Sequence, residues 1–269
     1  MRRIAVVQMC SSEDKQDNLK KSIDFIDEAA DKNAHLVCFP EFQMAFSPSS
    51  QSASQLAAIA ETVKGNFVLT LAAAAKKNRI GVVMTIYEKS SKPQHVYDTA
   101  VIISQSGAII SVYRKLHLYN ALEFKESTKL IPGKSIVKPA KTPAGSVGLL
   151  ICYDLRFPEL SRLLTIKGAD ALVAPSAWVA GEMKEEHWQT MIKARAIENG
   201  SYVIAPDQVG NIYCGMSMVV DPFGVVLLDM GQREGIETVD IDRARIQQVR
   251  RSLPLLKNRR TDIYRLSHK

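Results

Sequence analysis

The sequence predicts an α/β fold with helices packed against sheets, and three observations support this prediction. Short apolar runs rich in β-branched residues alternate with longer segments whose apolar residues recur at helical spacing. The 269 residues are 46% hydrophobic, which is typical of a globular chain that buries a sizeable core. No composition shift, internal repeat or low-complexity linker divides the chain, so we expect a single domain over residues 1–269.

In the first half of the chain, turn signals separate the expected strands from longer amphipathic segments. Helices are predicted over 17–33 and 54–78, the second of them interrupted at Gly65. Strands are predicted at 2–9, 35–40, 80–88, 96–104 and 108–114. The Ser-Gly-Ala sequence at 106–108 indicates a hairpin turn between the last two strands.

The second half continues this alternation after a polar loop at 117–144. A strand at 146–151 leads through a short turn into a helix that ends near Lys167. Another helix is predicted over Lys184–Asn199, because Gly200 follows at the position of a helix stop. The remaining strands are predicted at 169–178, 201–206, 216–222, 225–229 and 237–241.

Charge and cysteine content limit the classes of partner and compartment. The net charge is +7, but the basic residues are spread along the chain with only a modest cluster near the C-terminus. We therefore expect a solvated basic surface and no nucleic-acid partner. No apolar run reaches the about 18–20 residues that span a bilayer, and the N-terminal apolar stretch is too short for a signal peptide. With four scattered cysteines and no CxxC pair, we expect a cytoplasmic protein with reduced thiols, no zinc site and no membrane association.

The stretch VGLLICYDLRFPEL places Cys152 where an apolar strand passes into a turn and then a helix. A helix N-terminus carries partial positive charge, which stabilises a thiolate and lowers the pKa of a cysteine. The arrangement therefore predicts a nucleophile elbow with cysteine in the reactive position. Buried structural cysteines are also common at strand ends, so further residues are needed to decide.

Two more polar residues follow directly on apolar strands. Glu41 comes after the strand that stops at Pro40, and Lys115 comes after the strand at 108–114. Each alone is typical of a solvated loop residue. Together with Cys152, however, they form a set able to act as base, cation and nucleophile, and sites gather beyond the carboxyl ends of strands. A non-catalytic basic interaction protein is the alternative of a different class.

Three motifs carry a resemblance to a known family: FPEF (39–42), YRKLHL (113–118) and ICYDLRFPE (151–159). They resemble the signature regions of the nitrilase superfamily of carbon–nitrogen hydrolases. PSAW (175–178), ARAIEN (194–199), GMSMVVDPFG (215–224) and NRRTDIY (258–264) match as well, so the likeness extends along nearly the whole chain. The sequence is most similar to the amidase branch, which includes ω-amidases and deaminated-glutathione amidases.

The resemblance implies a four-layer α-β-β-α sandwich and a hydrolase that cleaves a small carboxamide, with or without a carboxylate, through a cysteine thioester. Cys152 would be the nucleophile and Glu41 the general base, while Lys115 and the Tyr153 backbone N–H would bind the oxyanion. A second glutamate would orient Lys115; Glu126 in FKES is the better match, and Glu123 competes with it. No metal or organic cofactor is implied. A nitrilase or an N-carbamyl amidase would use the same residues.

The substrate-binding residues and the assembly are implied with less detail. Arg156 would pair with a substrate carboxylate, or else form a bridge to Glu159 or Glu41, and Ser176 and Trp178 of PSAW would also bind substrate. His117 is expected to be structural. Met216 stands where many relatives have histidine, and it would border the pocket together with the loop 116–126.

A homodimer or larger homo-oligomer is implied, formed through the helix after the nucleophile and the ARAIEN helix, with the tail 253–269 crossing to a partner subunit.

Overall fold

The computed structural model describes residues 1–264, so the last five residues of the predicted 253–269 tail lie outside the described part. Strands alternate with helices in the order predicted for an α/β protein. In chain order, the strands are β1 (Arg2–Gln8), β2 (Leu36–Cys38), β3 (Gly81–Lys89), β4 (Val96–Ile103), β5 (Ile109–Arg114), β6 (Ala140–Thr142), β7 (Gly145–Leu149), β8 (Ala171–Val173), β9 (Tyr202–Ala205), β10 (Val209–Gly210), β11 (Tyr213–Cys214), β12 (Met218–Val220), β13 (Val226–Asp229) and β14 (Gly235–Ile241).

Six α-helices accompany these strands in residues 1–264, and three of them follow a residue whose side chain caps the helix N-terminus. They are α1 (Lys15–Asp31), α2 (Ala53–Ile59), α3 (Asn66–Asn78), α4 (Pro158–Ile166), α5 (Lys184–Asn199) and α6 (Arg243–Ser252). Asp14 and Asp242 accept hydrogen bonds from first-turn amides of α1 and α6, and Ser52 forms a capping box with Gln55 at α2. Gly200 ends α5 in a left-handed conformation, as its position predicted.

Two six-stranded sheets form the centre of the fold. The first has the order β14-β1-β2-β3-β4-β5, and the second has the order β13-β12-β9-β8-β7-β6. The β1, β2 and β3 strands pair in parallel, as do β7, β8 and β9, whereas β4, β5 and the remaining outer strands of the two sheets pair antiparallel. The predicted hairpin joins β4 to β5, and Gly107 turns there with a φ of 80° that favours glycine.

Alternation along β1 shows how the layers pack. Ile4 and Val6 belong to a core shared with the second sheet and with α4 and α5, while Ala5 and Val7 pack with α1 and α3. Both faces of the first sheet are therefore buried, one against helices and one against the second sheet. The resulting order is helix, sheet, sheet, helix, and it confirms the four-layer α-β-β-α sandwich. None of the helices in residues 1–264 combines the length and apolarity needed to cross a membrane.

Several element bounds differ from the prediction for local reasons. The interruption predicted at Gly65 in the 54–78 helix is observed, but it begins earlier: α2 ends at Ile59, because Glu61 hydrogen-bonds the backbone of Tyr87 and Lys89 at the end of β3, and Gly65 directly precedes α3. The predicted strand at 169–178 stops at Val173, and the remainder is an irregular segment that enters the site. The α6 helix and the short β6 strand were not predicted; the first is strongly basic and the second has only three residues.

Candidate active site

The three predicted reactive residues lie at the ends of strands from both sheets. Glu41 follows β2 and Lys115 follows β5 in the first sheet, whereas Cys152 follows β7 in the second. The face-to-face packing of the sheets brings these ends together, so the site is built between the two layers. Glu41 is held by its backbone: its N–H donates to the carbonyl of Ser176 at 3.2 Å, and its carbonyl accepts from Gln208 Nε2 at 2.8 Å.

Lys115 is the centre of a buried ion cluster. Its Nζ donates to Glu41 Oε1 at 2.7 Å and to Glu126 Oε1 at 2.9 Å, and it lies 3.7 Å from Asp98 Oδ2. The Lys115, Glu41 and Asp98 side chains are each 1% exposed, and that of Glu126 is 17% exposed. Burial alone would lower the pKa of Lys115, but the charges of Glu126 and Glu41 raise it well above its usual value. Lys115 therefore remains an ammonium.

The structure also distinguishes Glu126 from Glu123. Glu126 Oε2 accepts a hydrogen bond from the Tyr119 backbone N–H at 2.7 Å, so its carboxyl is held between the loop backbone and Lys115. Glu123 is exposed at the cavity mouth and has a left-handed φ of 72°. Only Glu126 of these two contacts Lys115. Burial raises the pKa of Glu126, an effect that Lys115 opposes and Glu41 reinforces.

Cys152 occupies a strained turn. Its φ is 42°, a left-handed conformation that is unusual for a residue with a Cβ, and its N–H donates to the Pro175 carbonyl at 2.9 Å. A 3-10 turn over Cys152–Arg156 follows, and the α-helix begins only at Pro158. The predicted order of strand, turn and helix around Cys152 is therefore observed, with one 3-10 turn between the cysteine and the first residue of the α-helix.

The pKa of the Cys152 thiol, by contrast, does not shift in the predicted direction. Burial raises the pKa of its thiol well above the usual value, the Glu41 charge raises it further, and the Lys115 charge opposes both effects. The expected lowering by a helix dipole is not observed. Burial and the Glu41 charge therefore favour the neutral thiol of Cys152 over the thiolate.

A buried aspartate that the sequence analysis missed joins the two strand ends. Asp154 Oδ2 accepts from the Tyr113 hydroxyl at 2.6 Å and the Ile151 N–H at 2.9 Å, while Oδ1 accepts from the His117 N–H at 3.1 Å. The His117 ring lies 2.7 Å from the same Oδ1 and stacks on Phe157 with 3.7 Å between centroids. His117 is structural, as predicted. Asp154 locks the loop after β5 to the turn that carries Cys152.

A cavity of about 580 Å³ opens above Cys152. Tyr153, Arg156 and Trp178 line it, whereas Ser176 does not: its hydroxyl is fully buried and donates to the Ala174 carbonyl at 2.9 Å. Ser176 contributes through its backbone, since its carbonyl accepts the Glu41 N–H. Aromatic and basic side chains form much of the remaining wall, namely Phe42, Phe46, Tyr87, Tyr119, Phe124, Lys125, Lys129, Lys184 and Tyr213.

Arg156 and Lys184 are two basic residues of this wall. The contacts of Arg156 differ from those expected, and Lys184 was not among the predicted residues. Arg156 Cζ lies 4.6 Å from the centroid of the Trp178 ring, and Arg156 Nη1 lies 3.4 Å from His187 Nδ1. Within residues 1–264, Arg156 forms no salt bridge with a carboxylate. The expected alternatives, a bridge to Glu159 or to Glu41, are therefore wrong. Lys184 donates to the Tyr119 hydroxyl at 3.0 Å.

Met216 does not line the cavity, contrary to expectation. Its carbonyl accepts the indole N–H of Trp188 at 2.8 Å, and its side chain packs against the core between the sheets. The predicted contribution of the 116–126 loop is observed, because residues 119 and 123–126 line the cavity. In the described residues, no three His, Cys, Asp or Glu side chains are grouped as ligands for a metal ion.

Comparison with known proteins identifies the family. The model of the carbon–nitrogen hydrolase family matches residues 3–251. This chain belongs to the carbon–nitrogen hydrolase family. A deaminated glutathione amidase of Escherichia coli O157:H7 is 35% identical to this hydrolase over 233 residues, which cover 87% of each chain.

Two solved structures extend the likeness to the site of this hydrolase. Saccharomyces cerevisiae Nit3, a member of branch 10 of the nitrilase superfamily, aligns with a TM-score of 0.85 and 33% identity over 96% of each chain. An amidase of Nesterenkonia sp. AN1, solved as a glutamate-to-glutamine variant with acrylamide added to its active-site cysteine, aligns with a TM-score of 0.80 and 26% identity over 98% of each chain. This hydrolase is thus a cysteine-dependent enzyme of the amidase type.

Proposed function

We propose that this hydrolase converts a small carboxamide that also bears a carboxylate into the corresponding acid and ammonia. One observation carries the reaction: a buried ammonium, Lys115, is held by Glu41 and Glu126 near Cys152, and burial raises the pKa of the Cys152 thiol and so favours its neutral form. A neutral nucleophile, a buried acceptor for its proton and a fixed cation are the groups that amide cleavage requires.

Acylation begins when Cys152 Sγ attacks the amide carbonyl carbon while Glu41 accepts the thiol proton. An ammonium has three N–H donors, and Lys115 directs two of them to Glu41 and Glu126, which leaves one for the developing oxyanion. The Tyr153 N–H is the second oxyanion donor. When the tetrahedral intermediate collapses, the C–N bond breaks, Glu41 returns the proton to the departing nitrogen, and ammonia leaves a thioester on Cys152.

Deacylation uses the same groups in the reverse direction. Glu41 accepts a proton from a water molecule, whose oxygen attacks the thioester carbon. The second tetrahedral intermediate collapses with cleavage of the C–S bond, and the proton on Glu41 returns to the sulfur. The products are a carboxylic acid and the free thiol of Cys152, so Glu41 ends each cycle as it began.

The cations of the cavity wall support a substrate with a carboxylate. Arg156 and Lys184 make their nearest polar contacts with an imidazole and a phenol, so neither charge is neutralised by an acid in residues 1–264. A guanidinium can bind a carboxylate through two parallel hydrogen bonds, and stacking on Trp178 holds its plane. Deaminated glutathione, the substrate named for the relatives at 35% identity, also carries carboxylates beside an amide bond, but that bond is a secondary amide and its cleavage releases a dipeptide amine in place of ammonia.

The experiment measures ammonia release from 2-oxoglutaramate, 2-oxosuccinamate, unsubstituted aliphatic amides, nitriles and N-carbamyl amino acids, and release of the dipeptide amine from deaminated glutathione. We expect turnover of one or more carboxylate-bearing amides, and none with Cys152→Ala. Arg156→Gln should raise KM for such an amide about tenfold or more, with little change for an uncharged amide, since one charged hydrogen-bonding pair is lost. Turnover of nitriles or N-carbamyl amino acids alone would replace the proposal with one of the two alternatives.

Assembly and compartment are further parts of the proposal. Exposed apolar residues on α4, α5 and the β13 edge support a homodimer or larger homo-oligomer, into which the 253–269 tail would extend; they are Ile166, Ile197, Phe223, Val225 and Leu227. Sedimentation velocity tests this, and a monomer at micromolar concentration contradicts it. All four cysteines are free thiols, which supports cytoplasmic residence, to be checked by cell fractionation.

A further inference from the structure

A third carboxyl, that of Asp98, lies beside the reactive cluster and has no part in the mechanism above. Asp98 is on β4, and its backbone carbonyl accepts the Lys115 N–H at 2.9 Å. Its side chain is 1% exposed, and Oδ2 lies 3.7 Å from Lys115 Nζ, beyond hydrogen-bonding distance. Oδ2 has no hydrogen-bond donor in the described residues. Asp98 is therefore a buried acid that lies next to the Lys115 ammonium without being hydrogen-bonded to it.

The charges around Lys115 do not balance if all three acids are ionised. Glu41 and Glu126 hold the ammonium at 2.7 and 2.9 Å, so Asp98 would be a buried anion with neither a cation nor a donor of its own. An unpaired buried charge costs much more free energy than a buried neutral carboxyl. The shortest contacts keep the negative charge on Glu41 and Glu126. The proton must then reside on Asp98.

The other groups that face Asp98 do not relieve this imbalance. Tyr87 lies opposite Asp98 in the β3–β4 ladder, and its buried hydroxyl is unpaired in residues 1–264. Tyr113 of β5 already donates to Asp154. Glu41 and Glu126 add negative charge from their loops, and Lys115 is the one cation that these elements bring to Asp98. Burial and the Glu41 charge accordingly raise the pKa of Asp98 well above its usual value, against the opposing effect of Lys115.

We propose that Asp98 keeps its proton at neutral pH and donates it in a hydrogen bond to the Glu41 carboxylate, which makes Asp98 a positioning residue for the general base. The bond holds Glu41 between Lys115 and Asp98. Ionisation of Asp98 at alkaline pH removes this donor and adds a negative charge near the oxyanion, so the rate falls. The assignment of Glu41 as base rests on the proposed function, whereas the protonation of Asp98 does not.

The protonation is tested without any substrate, by urea unfolding at fixed protein concentration from about pH 5 to about pH 8. A group protonated in the folded state and ionised in the unfolded chain takes up one proton on folding. The folding constant of the wild type relative to Asp98→Asn should therefore fall about tenfold per pH unit while Asp98 keeps its proton. Glu88→Gln is the matched control, since Glu88 is a buried carboxyl on the same pair of strands that is paired with Arg114. The difference in unfolding free energy between Glu88→Gln and the wild type should stay constant over the same pH range.

Two results of this measurement would overturn the proposal. If the difference in unfolding free energy between the wild type and Asp98→Asn is constant over this pH range, Asp98 is ionised in the folded protein. If Asp98→Asn is less stable than wild type throughout, an ionised Asp98 is stabilised by Lys115. Either result stands whether or not the enzyme cleaves the amides proposed above, so the two proposals fail separately.

The positioning role is tested by kinetics with any substrate that the panel identifies. Asp98→Leu removes the donor and should lower kcat about 10- to 100-fold, the factor for losing a hydrogen bond to a charged group, with little change in KM. Asp98→Asn offers an amide N–H in its place and should restore most of kcat. It should also remove the alkaline fall of kcat/KM. If Asp98→Asn is as impaired as Asp98→Leu, or the alkaline fall persists, Asp98 does not position Glu41.

Discussion

Arg114 and Lys115 are neighbours at the end of β5, yet they meet glutamates in opposite ways. Arg114 makes two hydrogen bonds of 2.7 and 2.6 Å to Glu88, and its side chain is 44% exposed. Lys115 points to the other face of the sheet, where it is 1% exposed among three acids. The first pair is balanced and screened by water, and the second cluster carries excess acid in a dry site. The comparison separates an ion pair that supports the fold from one that is arranged for chemistry.

The largest effect is expected when the buried cation, Lys115, is removed. Lys115→Met should lower kcat about a hundredfold or more, because the oxyanion loses its charged donor. It should also lower the free energy of unfolding by about 3–5 kcal/mol, because the acids around it lose their counter-ion. Steady-state ammonia release and urea unfolding measure the two effects. The matched variant Arg114→Met should lose stability and keep its kcat. Comparable losses of kcat in Lys115→Met and Arg114→Met would contradict the distinction between the Lys115 cluster and the Arg114–Glu88 pair.

A smaller effect is expected from the acid that orients the cation. Glu126→Gln keeps the hydrogen bond from the Tyr119 N–H but weakens the bond to Lys115, so we expect kcat to fall about 10- to 100-fold. Glu123→Gln on the same loop should leave kcat unchanged, because Glu123 does not contact Lys115. Kinetics of the two variants on one amide make the test. The reverse order of effects would assign the orienting role to Glu123.

The smallest effect on activity is expected at the balanced pair. Glu88→Gln leaves Arg114 partly exposed to water and should cost about 1–3 kcal/mol of unfolding free energy, the value for hydrogen bonds to a charged group. Its kcat should match that of the wild type. Urea unfolding and ammonia release on the same preparation decide this. A large fall in kcat would mean that the two faces of β5 are coupled, and the comparison between Arg114 and Lys115 would no longer hold.

The sequence predicted the site through residue type and local pattern, and failed where the outcome depended on contacts between distant segments. Apolar runs and turn signals are local, so the strands that lead to Glu41, Lys115 and Cys152 were predictable. Asp98 and Asp154 were missed because each lies in or beside a predicted element and gains significance only through a partner from another strand or loop. Asp98 lies within VYDTAV, a pattern that indicates a strand and nothing more.

Failures at the nucleophile have the same origin. The pattern around Cys152 predicted an elbow, and the structure has one, but the expected thiolate does not follow. The effect of a helix dipole is local and could be guessed, whereas the desolvation that raises the thiol pKa depends on how completely both sheets cover it. Ser176 illustrates a second limit: a motif places a residue at a site without deciding whether its side chain or its backbone serves there.

By itself, the sequence determined the alternation of strands and helices and the family to which the chain belongs, and it predicted which residues serve as base, cation and nucleophile. These are properties of residue type, period and order along the chain. The tertiary structure decided how burial and neighbouring charges shift the pKa of each group, the contact of Lys115 with Glu126 in preference to Glu123, and the position of Asp98 next to Lys115. The physical reason is that desolvation and Coulomb interactions depend on distance in space and on exclusion of water, and the packing of the two sheets sets both.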